Sequence, residues 1–193
     1  MATDRLPDLV RYATLDAVGL SRHRLETLVC VQEYERIAPG VFVRVGAVDD
    51  TTAAWMSISA RRADATVCLL SALAVHELTD EIPTTSDVAL PGGAHRLATR
   101  HTPIAWHFFD RATFDVGRSL LELGGGMTIG LYGPERTIID VFRLRHAWGP
   151  DLAVEALKRW LRRPGASPGA LLDMARQFPK ARPALQAALQ VLL

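Results

Sequence analysis

The chain has 193 residues, 49% of them hydrophobic and 22% charged, enough to bury a core and build one large domain or a small one beside a medium one. No apolar run approaches the ~20 residues that span a bilayer, and the start MATDRLPDLVR lacks the basic-then-apolar order of a signal peptide. The net charge of +1 is unevenly spread: residues 1–46 carry six basic and six acidic groups, 47–142 seven and twelve, and 143–193 nine and three. These features exclude a membrane span and a disulfide scaffold, and they lead us to expect a soluble, cytoplasmic protein whose basic end is its last quarter.

In chain order, RLPDLVRY (5–12) reads as a short first helix, and Thr14 can cap a second, TLDAVG. Gly19 supplies a tight turn, and Ser21 is a good N-cap for a third helix in which Leu25, Leu28, Val29 and Gln32 share one side at 3.6-residue spacing. Its outward side carries a polar leading turn with Arg22, His23, Arg24 and Thr27. The alternating segments EYERIA and VFVRV, joined across Pro39-Gly40, predict a hairpin, with Arg36 and Arg44 on its strands. This is the order of a winged helix-turn-helix over residues 1–46, with a first helix that is short for that motif.

From Ala47 the pattern predicts a long helix over 47–65, then an apolar helix TVCLLSALAVHEL that ends before Pro83. SDVALP, PIAWHFFD and SLLELGGGMTIGLYG read as strands, with the glycines at 124–126 as the last turn. Pro134 suits the first position of a helix running through Ile138, Ile139, Val141 and Phe142, and DLAVEALKRWLRR, SPGALLDMARQF and ARPALQAALQVLL follow as three more. The expected fold is α+β: a winged helix at 1–46, then a mixed domain at 47–193 with a small β-sheet and a helical C-terminal part.

No catalytic constellation emerges. His76-Glu77 begins like HExxH, but Asp80 stands where the second histidine is needed, so His76 reads as the end of a core helix. His95, His101 and His107 have no carboxylate at a defined spacing and read as surface groups. The glycine run at 124–126 belongs to neither GxxxxGK[ST] nor GxGxxG, and no GxSxG occurs. Cys30 and Cys68 lie in separate apolar segments and are expected to be free, buried thiols, with no metal or cofactor. Arg136 and Asp140, four apart on one helix beside Glu135, form either an intrahelical salt bridge or part of a recognition surface.

The segments GLSRHRLETLV, YERIAPGVFVR, LLSALAVHEL with DVALPGG, and GPERTIIDVFRLRHAWGPDLAVEAL resemble, in this order and over nearly the whole chain, the AbiEi-type antitoxins of bacterial toxin-antitoxin operons, including the mycobacterial members. That resemblance implies a non-enzymatic antitoxin and autorepressor. Its N-terminal winged helix would bind inverted repeats in its own promoter, with a second copy on the repeat. Its C-terminal domain would counteract a nucleotidyltransferase-like toxin. Under the resemblance Ser21, Arg22, His23 and Thr27 match the groove-facing part of the recognition helix, joined by Arg24 on the same turn, and Arg36 and Arg44 match the wing. The basic C-terminal helices match the antitoxic region, which places Arg145, Lys158, Arg159, Arg162 and Arg163 at a toxin or partner surface. The neutral charge of residues 1–46 keeps a second reading open, a protein-binding antidote whose winged helix is a docking module.

Overall fold

The structure, a computed structural model, describes residues 6–99 and 102–193. The chain is a mixed α/β protein with two sheets and eight α-helices among the described residues. It divides into two compact units: Met1–Ala65 with Leu97–Pro103 and Leu120–Ile129, and Thr66–Arg96 with Ile104–Ser119 and Gly130–Leu193. The boundary expected after residue 46 lies inside the first of them.

The first unit opens differently from expectation. Where a helix over 5–12 is predicted, the described residues form a strand, β1 (Leu9–Arg11), and Tyr12–Thr14 and Asp16–Val18 make 3-10 turns in place of the second helix. As a strand, the same residues pair with β3 (Val41–Arg44) in the register Leu9↔Val43 and Val10↔Phe42, and Val10 becomes fully buried.

Helix α1 (Arg22–Cys30) begins where expected, with Ser21 Oγ accepting from the Arg24 amide at 3.2 Å. Leu25 is buried and Leu28 and Val29 half-buried, whereas Gln32 lies beyond the helix at φ 60°, exposed, off the inward face assigned to it. Cys30 is also exposed, so of the two cysteines only Cys68 is a buried thiol. The hairpin of β2 (Tyr34–Ala38) and β3 turns at Pro39-Gly40, as predicted, with a bulge between Arg36 and Ala38. Gly40 sits at φ +72°, a conformation that favours glycine, with the Tyr12 ring in van der Waals contact, 3.4 Å from where a Cβ would stand.

The long helix expected over 47–65 is shorter, α2 (Asp50–Ser59); Asp49 accepts from the Thr52 amide at 2.9 Å and fixes its start. These caps hold the Asp49 carboxyl below the usual carboxylate range, although its partial burial pushes the other way.

In the second unit Thr66 and Val67, expected in a helix, form β4 (Thr66–Val67) instead; both are β-branched and lie between β5 (Ser86–Pro91), antiparallel, and β8 (Met127–Tyr132), parallel. Helix α3 (Leu69–Val75) follows at once, and Leu69 takes φ 47° to make the turn, a strain of about 1–3 kcal/mol held by complete burial. Strands β6 (Ile104–Phe109) and β7 (Arg118–Gly124) complete a sheet of order β6-β5-β4-β8-β7.

Helix α4 (Pro134–Arg143) is the centre of this unit. Every residue from Arg136 to Phe142 is buried, because α3, α6 (Pro150–Leu161), α7 (Pro168–Ala175) and α8 (Arg182–Leu192) all pack on it. A four-residue helix, α5 (Arg145–Trp148), links α4 to α6. Burying Ile138, Ile139, Leu157, Leu171 and Leu185 completely contributes about 1.5–3 kcal/mol each.

Candidate nucleic-acid interface

The capped first turn of α1 is a local consequence of its sequence. Ser21 satisfies one of the helix's free amides, and Arg22, His23 and Arg24, all exposed, follow where no intrahelical partner is needed. The positive end of the helix dipole adds to the two arginines, making this turn attractive to an anion. Arg22 lies over the Tyr12 ring, 4.9 Å from its centroid, an exposed cation–π contact of about 0.5–1 kcal/mol that aims the guanidinium. Thr27 Oγ1 donates to the His23 carbonyl at 3.0 Å, which leaves its oxygen free to accept. Five expected residues, Ser21, Arg22, His23, Arg24 and Thr27, thus lie together on two turns.

The two hairpin arginines have different surroundings. Arg36 is exposed on β2, its Nε 3.4 Å from the Ala38 carbonyl. Arg44 is engaged: its Nε donates to Asp8 Oδ1 at 2.8 Å, its guanidinium also donates to the Leu6 carbonyl, and it lies 5.4 Å from the Tyr34 ring. It clips the segment before β1 onto β3. Beside the β2–β3 turn the first unit has a concavity of about 280 Å³ lined by Arg36, Pro39, Ser57, Arg61 and Ala98, among others. Arg61 escaped the sequence reading because it follows the end of α2 and resembles any exposed helix-terminal cation.

In the second unit the basic residues assigned to a partner surface divide in two. Arg145 Nη1 donates to the Phe142 carbonyl at 3.1 Å, Arg163 donates to the His76 carbonyl, and Arg159 pairs with Asp80 and, at 2.9 Å, with Glu155. These three are tethered. Lys158 and Arg162 are exposed, in no ion pair among the described residues, and one turn apart, on the last turn of α6 and at its C-cap.

Arg136 and Asp140 are no recognition surface, since both side chains are 0% exposed. The intrahelical pair is present, with Arg136 Nε donating to Asp140 Oδ2 at 2.9 Å. Arg136 Nη1 also donates to the carbonyls of Thr113 and Val116, both at 2.6 Å. Arg143 Nη2 approaches Asp140 Oδ1 to 2.9 Å as an ion pair, and among the described residues Arg136 Nη2, Asp140 Oδ1, and Arg143 Nε and Nη2 meet no partner in full hydrogen-bond geometry. Aromatic faces compensate: the Arg136 guanidinium lies 4.2 Å from the Tyr132 ring centroid and 4.5 Å from that of Phe178, and that of Arg143 lies 4.6 Å from Phe109. Burial raises the Asp140 carboxyl above its usual range against the opposing pull of both arginines, and burial likewise pushes up the Tyr132 phenol and the Cys68 thiol.

His107 is not a lone surface group. Its Nε2 lies 2.8 Å from Oδ1 of Asp87, which is 2% exposed. The pair arises from the parallel register of β5 and β6, Asp87↔Ala105 and Ala89↔His107, which sets both side chains on one face. Ser71 Oγ accepts from the Asp87 amide at 2.8 Å, which commits the nearby hydroxyl to structure. His95 is exposed, and His101 lies outside the described residues. Among the described residues, no three His, Cys, Asp or Glu side chains gather as a metal site, and no helix is long and apolar enough to cross a membrane.

His76, at the end of α3 as expected, sends its Nε2 to the Tyr132 carbonyl at 2.7 Å. Burial lowers its pKa below the ordinary 6.5; the carbonyl contact opposes this and Arg163 adds to it. A depressed histidine favours the neutral form in the folded state, so its contribution is complete above pH 6.5 and declines as the pH falls through the folded value. Denaturation midpoints should therefore drop between pH 7 and 5, and His76→Gln should flatten that slope. An unchanged slope in the variant would remove His76 as its source.

The geometry defines a mixed α/β protein of two units, the first with exposed cations on one capped helix and beside one hairpin turn and the second with Lys158 and Arg162 exposed. Among solved structures it is similar to the RV2827C protein from Mycobacterium tuberculosis, at 16% sequence identity and a TM-score of 0.52, over 95% of this chain and 76% of that one. A likeness at that identity concerns the fold. No family model and no curated protein matches the sequence.

Proposed function

We propose that the chain is a DNA-binding antitoxin that represses its own operon and counteracts a nucleotidyltransferase-like toxin, without catalysis. The observation that carries the DNA half is the first turn of α1: two arginines in no ion pair among the described residues, a histidine and a cap serine, exposed at the positive end of a helix beside an antiparallel hairpin. In this reading α1 enters the major groove as the recognition helix of a winged helix. Arg22, His23, Arg24 and Thr27 meet base edges, Ser21 sits at the phosphate-facing cap, and the β2–β3 hairpin is the wing. The 3-10 turns take the place of the leading helices. Arg44 acts indirectly, by fixing β1 against the wing. The antitoxin half rests on the sequence resemblance, with Lys158 and Arg162 the cations best placed to meet the toxin or another acidic partner.

A gel shift of the purified protein on its own upstream DNA, with a salt titration, tests this reading. Sequence-specific retardation on an inverted repeat is the expected result. Arg22→Ala should weaken repeat binding about tenfold and relax preference at one base position. Unchanged affinity in Arg22→Ala would remove it from the interface. A protein that co-purifies with the toxin and retards no DNA would instead be a protein-binding antidote with a docking module, the reading that the neutral charge of residues 1–46 favours.

A further inference from the structure

The concavity beside the β2–β3 turn has a composition that the fold does not need. It has a volume of about 280 Å³, and among the described residues its lining includes two arginines and no carboxylate. The charges arrive from separate elements: Arg36 from the bulged strand β2, and Arg61 from the turn after α2. Neither makes an ion pair among the described residues. Both rest on backbone carbonyls instead, which orient a guanidinium without neutralising it. Arg61 Nε donates to the Ser57 carbonyl at 3.2 Å and its Nη2 to the Ala98 carbonyl at 2.8 Å, so the side chain is braced from two segments of the unit. Arg36 Nε reaches the Ala38 carbonyl at a looser 3.4 Å. An arginine held this way keeps N–H donors for an oxyanion and loses little rotamer freedom on binding one.

Two other cations of the first unit make the contrast. Arg44 is committed to Asp8, and Arg62 to Asp64 at 2.6 Å. Arg36 and Arg61, in contrast, line the same concavity, next to Pro39 at the tip of the hairpin. An apolar ligand has no reason to enter a site whose charged groups carry no counter-charge. A phosphate has, because it supplies that charge and several acceptor oxygens to two guanidinium groups at once.

We infer that this concavity is a phosphate-binding subsite in which Arg36 and Arg61 hold one backbone phosphate of the duplex that α1 reads. It rests on the DNA-binding reading and extends it: Arg61 takes the wing-side phosphate contact that Arg44 cannot make, and the contact carries no base information. The shared chemistry is a phosphate oxyanion, available from the DNA backbone or from free phosphate.

The test compares the full-length protein with Arg61→Gln, Arg36→Gln and Arg61→Lys in anisotropy titrations on the upstream repeat and on an unrelated duplex, across a salt series. Circular dichroism first checks that each variant is folded. Arg36→Gln covers the case in which loss of the Ala98 brace unfolds Arg61→Gln. Either glutamine variant should lose about five- to tenfold on both duplexes alike, and the slope of log K against log salt should shrink by about 1. Arg61→Lys should recover the slope and only part of the affinity. Folded glutamine variants with wild-type slope and affinity would overturn the inference while leaving DNA binding by α1 intact. A second arm titrates inorganic phosphate into the protein without DNA, followed by amide NMR shifts at Ile37, Ala38 and Ala98. If the wild type binds no duplex but these shifts appear and vanish in Arg36→Gln and Arg61→Gln, the phosphate site stands, free phosphate is its source, and the DNA reading falls. If neither duplex nor phosphate responds to the two arginines, the site does not exist.

Discussion

Asp140→Ala should destabilise the second unit by about 3–5 kcal/mol, measured as loss of chemical denaturation free energy. Asp140 stands between two guanidinium groups, Arg136 and Arg143, each within 2.9 Å, and is itself completely buried. Burial raises its carboxyl pKa, so the ionised form costs folding free energy that the two arginines offset. Removing it leaves Arg136, with 0% exposure, as an uncompensated charge whose Nη2 already lacks a hydrogen-bond partner. The aromatic faces of Tyr132 and Phe178 soften that loss without replacing a full counter-charge. A loss below about 1 kcal/mol would show that the rings and the Thr113 and Val116 carbonyls suffice. The triple substitution Arg136→Met, Asp140→Leu, Arg143→Met discriminates further, because buried ion clusters are often replaced by apolar side chains at little net cost. It should recover most of what Asp140→Ala loses, and failure to recover would place the value of the cluster in its hydrogen bonds to the 113–116 turn.

The sequence makes the local signals of this chain legible. Ser21 capping α1, Pro39-Gly40 turning the hairpin, the glycines at 124–126, and Pro134 opening α4 are decided within a few residues, and the structure has each where the pattern puts it. Short segments whose state is set by a distant partner are not legible. Leu9–Arg11 becomes a strand because β3 accepts it, and Thr66–Val67 because β5 and β8 flank it. The candidate interface follows the same division. The cluster Arg22, His23 and Arg24 needs only helical spacing, whereas the engagement of Arg44 by Asp8, the pairing of His107 with Asp87, and the shared concavity lined by Arg36 and Arg61 join residues 20 to 36 apart in sequence. Arg136 and Asp140 show why spacing alone is ambiguous. Four residues apart specifies a shared helix face, and only the packing of α3, α6, α7 and α8 decides that the face is buried.

Gly117→Ala should cost about 3 kcal/mol or more, through the same cluster reached from the other side. Gly117 lies at φ +68°, where an L side chain costs about 1–2 kcal/mol. A Cβ there would stand 2.7 Å from Arg136 Cβ, 3.4 Å from its Cγ and 3.5 Å from Met174 Sδ. Met174 can give way, being unbranched and half-buried. Arg136 cannot, because its far end is fixed by Asp140 and the carbonyls of Thr113 and Val116 and its near end by a helix buried all round. The Gly117 carbonyl also accepts from the Gly133 amide at 2.8 Å, so moving the backbone would disturb the residue that precedes α4. Overpacking therefore adds about 1–3 kcal/mol to the conformational cost. The matched comparison is Gly124→Ala, at φ +92° with nothing within 4 Å of the added Cβ, which should show the conformational cost alone. Equal losses at the two positions would mean that Arg136 yields, and with it the argument that the buried cluster is rigid.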